Sequence, residues 1–291
     1  MFDHFTSHQL ILPDATIHYR IGGAGPPLLL LHGYPQTHII WHKIASALAQ
    51  NFTVVASDLR GYGDSSKAPG QEGHVNYAKR AMAADQVALM RHLGFNKFQV
   101  AGHDRGGRVA HRMALDYPEV IEKMAVLDIA PTLAMYQTTD MAFARAYYHW
   151  FFLIQPFDIP ERLIGADPAF FLEKKLGQWG RDRSAITEEA FGAYLRCFTP
   201  ETIHASCEDY RASATIDLQH DAADLQAGKQ IQCPLLCLWG AKGFVGQHYD
   251  VVAEWQKWAA AVTGFALPCG HYLPEEAPDE TLRHFTDFFN P

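Results

Sequence analysis

Cysteine is scarce in this chain, and its distribution argues against a disulfide framework. There are five cysteines among 291 residues: Cys197, Cys207, Cys233, Cys237 and Cys269. An odd, dispersed set in a long chain reads as core thiols of a protein kept reduced, so a cytoplasmic location is expected. The opening stretch, MFDHFTSHQLILPDATIHYR, has no basic segment leading into an apolar one, and no secretory signal is expected from it. Also missing is any apolar run of about 18 residues, so no membrane span is expected. Long runs of one charge sign are absent too, and the net charge is −8. That balance argues against nucleic acid as the main partner. It leaves room for a locally positive site that takes a small anion. Histidine is abundant, at sixteen residues, yet a metal-ligand pattern is missing. His38 and His42 stand four apart in HIIWH, but the glutamate of H-E-x-x-H is absent and no third ligand is evident. Neither metal nor cofactor is expected.

What is present is enough apolar material for a large core: 48% hydrophobic against 19% charged residues. LILPDATIHYRIGG reads as two short strands around a turn at Pro13–Asp14. PPLLLLHG, FTVVASD, FQVAGH, MAVLDIA and PLLCLWG are continuous apolar runs, as expected of strands buried on both faces, and TGFALPCG is a weaker sixth. Helical patterns lie between them in WHKIASALAQ, YAKRAMAADQVALMRHLG, GRVAHRMALDYP and YDVVAEWQKWAA. The alternation predicts an α/β fold with a mostly parallel central sheet and helices on both faces. It breaks after LDIAPT, where about eighty aromatic-rich residues carry helical patterns and no strand. The expected organisation is a core of residues 1–130 and 212–291, interrupted by a helical cap at 131–211.

In open α/β sheets, ligands bind beyond the carboxyl ends of the strands. Those ends carry HGYPQ (His32 to Gln36), DLRGYGDS (Asp58 to Ser65), Asp104, Asp128 and His271. VAGHDRGGRVAH has the outline of a strand, a sharp turn and a helix, as in the G-x-S-x-G elbow, but Asp104 replaces the serine. A carboxylate is ionised at neutral pH without a base beside it. It suits displacement at a saturated carbon, giving an ester of the enzyme. His271 would then activate water for hydrolysis of that ester, and Asp128 would hold the imidazole. The bland alternative for Asp104 is a helix cap. Gly243 stands where many such folds keep the acid, after PLLCLWG, and Asp250 beyond it reads as the start of a helix. Asp128 is therefore the expected acid.

HGYPQ, DLRGYGDS, GHDRGGR, LDIAPT, HW, CEDYRA, WGAKG and CGHYLPEEAP together resemble the α/β-hydrolase superfamily over nearly the whole chain. GHDRGGRVAHRMALDYP and the cap residues most resemble its fluoroacetate (haloacetate) dehalogenases. The resemblance implies Asp104, Asp128 and His271 as catalytic residues, and His149, Trp150 and Tyr210 as the halide pocket. It also implies a homodimer. Arg105 and Arg108, three apart at a helix start, are positioned to clamp a carboxylate. The backbone N–H groups of Tyr34 and Arg105 would form the oxyanion hole. Tyr147, Tyr148, Phe151 and Phe152 read as cap core. The expected reaction is hydrolytic dehalogenation of a haloacetate, with the small anionic substrate and water as the reactants. Two alternatives stay open. One is an epoxide hydrolase with the same Asp–His–Asp machinery; the other is a noncatalytic ligand receptor on a hydrolase scaffold.

Overall fold

A computed structural model describes residues 1–180 and 183–290. The apolar runs become strands of one sheet: β1 (Thr6–Ile11), β2 (Thr16–Gly22), β3 (Pro27–Leu31), β4 (Thr53–Ser57), β5 (Phe98–His103), β6 (Ile121–Leu127), β7 (Leu235–Gly240) and β8 (Val262–Leu267). Their order is β1-β2-β4-β3-β5-β6-β7-β8. The strands from β4 to β8 are parallel, and the β1–β2 hairpin joins β4 antiparallel. Leu28 to Leu31 of β3 and Val100 and Ala101 of β5 are wholly buried, because helices cover both faces of the central strands. β8 is weaker in sequence because it is the far edge, with alternating and partly exposed side chains.

Two helical patterns end differently from expectation, and one helix was not expected. WHKIASALAQ keeps only a four-residue helix, Ala45–Leu48, behind a 3₁₀ turn, His38–Trp41, that ends at its first residue. YDVVAEWQKWAA is helical only over Val251–Gln256, capped by the Asp250 side chain. The C-terminal helix Pro278–Phe289, not singled out from the sequence, packs Phe285 and Phe289 into the core.

Between β6 and β7 the described residues form helices and turns and no strand, apart from one isolated bridge of Ile231 to Ala259. Several of these cap helices start at side-chain caps: Asp140, Asp167, Thr187 and Thr199 each accept a backbone N–H three residues on. Such a cap contributes about 1 kcal/mol. Tyr147 is buried and Phe151 and Phe152 are half-buried, but Tyr148 is 40% exposed and is not cap core. Tyr148 instead lays its ring over the Lys175 ammonium, 3.5 Å from the ring centre. All five cysteines are buried free thiols. Among the described residues, no helix is long and apolar enough to cross a membrane.

The chain leaves β3 for β4 on one side, and β5 lies on the other. The order reverses there, so the crevice beyond β3 and β5 is where an open sheet receives a ligand.

Candidate active site

Asp104 stands in that crevice, between β5 and the helix Arg105–Asp116. Its backbone is in the left-handed region, at φ 45° and ψ −113°. For a non-glycine residue this costs on the order of 1–3 kcal/mol, a strain typical of functional turns. The turn closes only because two neighbours lack a side chain. A Cβ on Gly102 would come within 2.4 Å of the Gly106 backbone, and one on Gly106 within 2.5 Å of the Leu31 and His32 carbonyls. Asp104 makes no side-chain cap bond to its helix, so the helix-cap alternative fails. Its Oδ1 instead accepts the backbone N–H of Tyr34, from the loop after β3, at 3.0 Å. The backbone N–H of Arg105 is the first of the helix and has no intrahelical acceptor.

His271 and Asp128 meet as the sequence predicts. The His271 Nδ1–H donates to Asp128 Oδ2 at 2.6 Å, and Asp128 Oδ1 accepts the Gly240 N–H at 3.0 Å. A Cβ on Gly243 would stand 3.5 Å from both Asp128 oxygens. The acid from β6 thus occupies the place that an acid after β7 would reach, while Asp250 is exposed. Burial pulls the His271 pKa down, but the Asp128 hydrogen bond and charge, with Asp104 behind them, raise it overall. Burial pushes Asp104 up, yet the charges of His271, Arg108 and Arg105 hold its carboxyl below the usual range.

The two arginines diverge from their shared helix turn. The Arg105 guanidinium is paired bidentately with Asp209 of the cap, and among the described residues its Nη1 has no hydrogen-bond partner. Arg108 donates to the Ala130 carbonyl, Thr132 Oγ1 and Met135 Sδ. It has no carboxylate within ion-pair distance among the described residues, and its Nε is without a partner. Arg108 is 3% exposed. Burial lowers its pKa, and Asp104 is the largest influence opposing that.

Enclosed hydrogen-bond donors gather around this charge. His149 Nδ1, Trp150 Nε1 and the Tyr210 hydroxyl are buried and have no partner among the described residues. A buried polar group left unbonded costs about 1–3 kcal/mol, so three together point to a ligand. The Arg108 guanidinium lies 4.8 Å over the Trp150 ring, and that of Arg105 lies 4.1 Å over the Tyr210 ring. Burial, then Lys175, depresses the His149 pKa well below the usual range, so its imidazole is neutral. Burial and the Asp104 charge keep the Tyr210 phenol protonated. A cavity of about 200 Å³ reaches Asp104 and His271 between Tyr147, His149, Trp179 and Phe244. Arg105, Arg108, Trp150 and Tyr210 do not line that cavity; their donors are enclosed.

Sequence reasoning missed three neighbours. His103 donates Nε2–H to the His271 carbonyl at 2.8 Å, and burial pushes its pKa down to about 3. The Trp179 carbonyl accepts the His271 backbone N–H at 3.1 Å, and its ring packs 4.3 Å from His149. Asp209 is the third; its only sequence signal was its place beside Tyr210 in CEDYRA.

The histidines considered for metal also find their partners. His38 Nδ1–H and His18 Nδ1–H donate to the two Asp58 oxygens, each at 2.9 Å. These three residues are close enough to share an ion. Asp58 is already filled, however, since it also accepts the backbone N–H groups of His38 and Asp64. His42 stands apart, bonded to the Ile39 carbonyl. The cluster reads as a buried staple.

Comparison with known proteins places the chain in a family. Residues 26–278 match the family model of the alpha/beta hydrolase fold. A fluoroacetate dehalogenase from Burkholderia sp is 45% identical over 292 residues, covering 100% of this chain and 95% of the relative. A soluble epoxide hydrolase from Corynebacterium sp. (strain C12) is 34% identical, covering 100% and 99%. A solved structure of a Nostoc sp PCC 7120 chain, assigned to the alpha/beta hydrolases, is 57% identical with a TM-score of 0.98, covering 100% and 99%. With its elbow, its helical cap and a full-length match of this kind, the chain belongs to the alpha/beta hydrolase family and, within it, to the fluoroacetate dehalogenases.

Proposed function

We propose that the protein is a hydrolase acting on carbon–halide bonds, that it cleaves haloacetates, fluoroacetate among them, and that the reaction passes through an ester on Asp104. The observation that carries the acid substrate is Arg108. A guanidinium buried without a carboxylate partner is costly unless a ligand supplies the charge. The substrate carboxylate takes that place, with Arg105 Nη1 as a second donor.

Asp104 Oδ2 attacks the halogen-bearing carbon. The C–O bond forms as the carbon–halogen bond breaks, and the electron pair leaves with the halide toward His149, Trp150 and Tyr210. His271 then takes a proton from water, and the hydroxide adds to the Asp104 carboxyl carbon. Oδ1 becomes the oxyanion, held by the N–H groups of Tyr34 and Arg105. Collapse expels glycolate oxygen, which takes the proton back from His271. The regenerated carboxyl group loses its own proton to solvent. Asp128 fixes the imidazole tautomer and stabilises the imidazolium. No metal or cofactor enters this scheme.

An epoxide hydrolase reading draws on the Tyr210 hydroxyl, which could protonate an epoxide oxygen. The test is halide release from fluoroacetate and chloroacetate beside opening of a neutral epoxide, for the wild type and Arg108→Met. The expected result is haloacetate turnover that the substitution lowers by a factor corresponding to about 2–5 kcal/mol. Turnover of the epoxide alone, unaffected by the substitution, refutes the reading. A receptor would turn over neither.

The donors should matter most for the poorest leaving group. Fluoride concentrates its charge on a small atom, so Trp150→Phe and Tyr210→Phe should each slow single-turnover defluorination by about 10²–10³-fold. Dechlorination should fall much less. An equal fall for both halides would mean that these residues shape the cap only.

We further propose a core of residues 1–130 and 212–291 with a cap of 131–211, a cytoplasmic location, and a homodimer. Phe157, Ile159, Leu163 and Phe170 of the cap are each at least half exposed, which gives an apolar face for a second copy. Light scattering that returns the single-chain mass of 32.6 kDa would refute the dimer.

A further inference from the structure

The seam between cap and core is closed beside the enclosed donors by a buried group of charges. Asp209, on the cap helix Pro200–Ala214, is wholly buried, as is Arg105 of the core. Arg105 Nε–H donates to Asp209 Oδ2 at 2.9 Å and Nη2–H to Oδ1 at 2.6 Å. The same Nη2 reaches the Asp209 carbonyl at 3.0 Å and Ser213 Oγ at 2.5 Å. The Lys79 ammonium also donates to Asp209 Oδ1, and the Tyr62 hydroxyl donates to Oδ2 at 2.7 Å. Lys79 has a second carboxylate, Asp217, at 3.5 Å. Two cations and two anions thus balance, Arg105 Nη1 has no partner among the described residues, and the guanidinium carbon lies 4.1 Å from the Tyr210 ring centre.

Two buried ion pairs are a poor way to add stability, since apolar packing of similar volume docks a cap as well or better. What the carboxylate adds is direction. A bidentate partner fixes both the plane and the rotation of a guanidinium, which a hydrophobic contact cannot do. Here the fixed guanidinium in turn supports the Tyr210 ring, 4.1 Å away. Asp209 and Tyr210 are adjacent on one cap helix, while Arg105 follows Asp104 on the core. One carboxylate therefore sets the register of the cap's donor against the nucleophile.

We infer that Asp209 is a positioning residue for the reaction: by holding Arg105 bidentately across the cap–core seam, it sets Tyr210 against the leaving group. The inference rests on the proposed reaction at Asp104.

Asp209→Glu keeps the charge and moves the carboxylate by one methylene. Misplacement on the order of 1 Å near reacting atoms costs about 10²-fold in rate. The expected result is a fall of that size in kcat on fluoroacetate, with KM and the thermal midpoint little changed. In a Tyr210→Phe background the same change should cost far less, because both act through one donor. Wild-type kcat in Asp209→Glu overturns the inference. So does an equal loss in both backgrounds, which would mark a general disturbance of the fold. Should Asp209→Glu fail to fold, Ser213→Ala removes one tether of Arg105 and leaves the ion pairs; a severalfold fall confined to kcat is expected, and unchanged kinetics overturn the inference. A wild type that opens only epoxides would sink the proposed reaction instead, and the same variants compared on the epoxide would still test Asp209.

Discussion

Asp104→Asn should abolish turnover while leaving the fold intact. Asparagine is among the few residues that visit left-handed backbone readily, so the elbow at φ 45° can keep its shape. The Tyr34 N–H can still bond the amide oxygen, as it bonds Oδ1 at 3.0 Å here. The amide cannot attack carbon as a carboxylate does. Loss of a nucleophile that works as one unit with its base removes on the order of 10⁴–10⁶ in kcat. Halide release on fluoroacetate and chloroacetate, read together with intact mass to exclude deamidation back to aspartate, checks this. Sustained release by protein that still carries asparagine would overturn the nucleophile assignment and leave Asp104 a structural turn.

The central sheet was legible because strands buried on both faces must be continuously apolar, as Leu28 to Leu31 are. The same rule explains why β8 was faint: an edge strand needs apolar residues on only part of its length. Asp104, Asp128 and His271 could be read because strand ends are where such sheets bind, and each follows an apolar run directly. The 3₁₀ turn His38–Trp41 was not legible because its bonding to Asp58, twenty residues away, has no local signature. Asp209 was illegible for a related reason. Its partner Arg105 lies 104 positions earlier, and a helix-borne aspartate flanked by polar residues reads as a solvated face. Tyr148 failed in the opposite direction, because an aromatic run in a cap suggests packing while one face of a short helix stays outside. His103 was recoverable in principle from its place at the strand end directly before the nucleophile, where it bonds the His271 carbonyl.

His271→Asn separates the two chemical steps. Asparagine cannot act as the base, so the ester should form and persist. Burial pushes Asp104 toward protonation, and His271 is the largest single influence opposing that. Arg108 and Arg105 remain in the variant, so the nucleophile stays ionised at neutral pH and the first step continues. One equivalent of halide should be released in a burst, and the protein should gain the mass of one carboxymethyl group. Halide release over many turnovers without an adduct would rule out the ester route. The wild type provides an independent check through pH. The His271 pKa is raised in the free enzyme, burial being outweighed by Asp128 and then Asp104. Ester formation removes the Asp104 charge, so the imidazole of the intermediate loses its proton more readily than that of the free enzyme. General-base catalysis needs the neutral ring. Ester hydrolysis should therefore fall as pH drops through this lowered value, whereas the halide burst, which needs only ionised Asp104, should stay level across the neutral range. Rapid-quench measurement of both steps decides it: an acid limb shared by the burst and the hydrolysis would mean that His271 assists the displacement itself, and the division of labour between nucleophile and base would have to be redrawn.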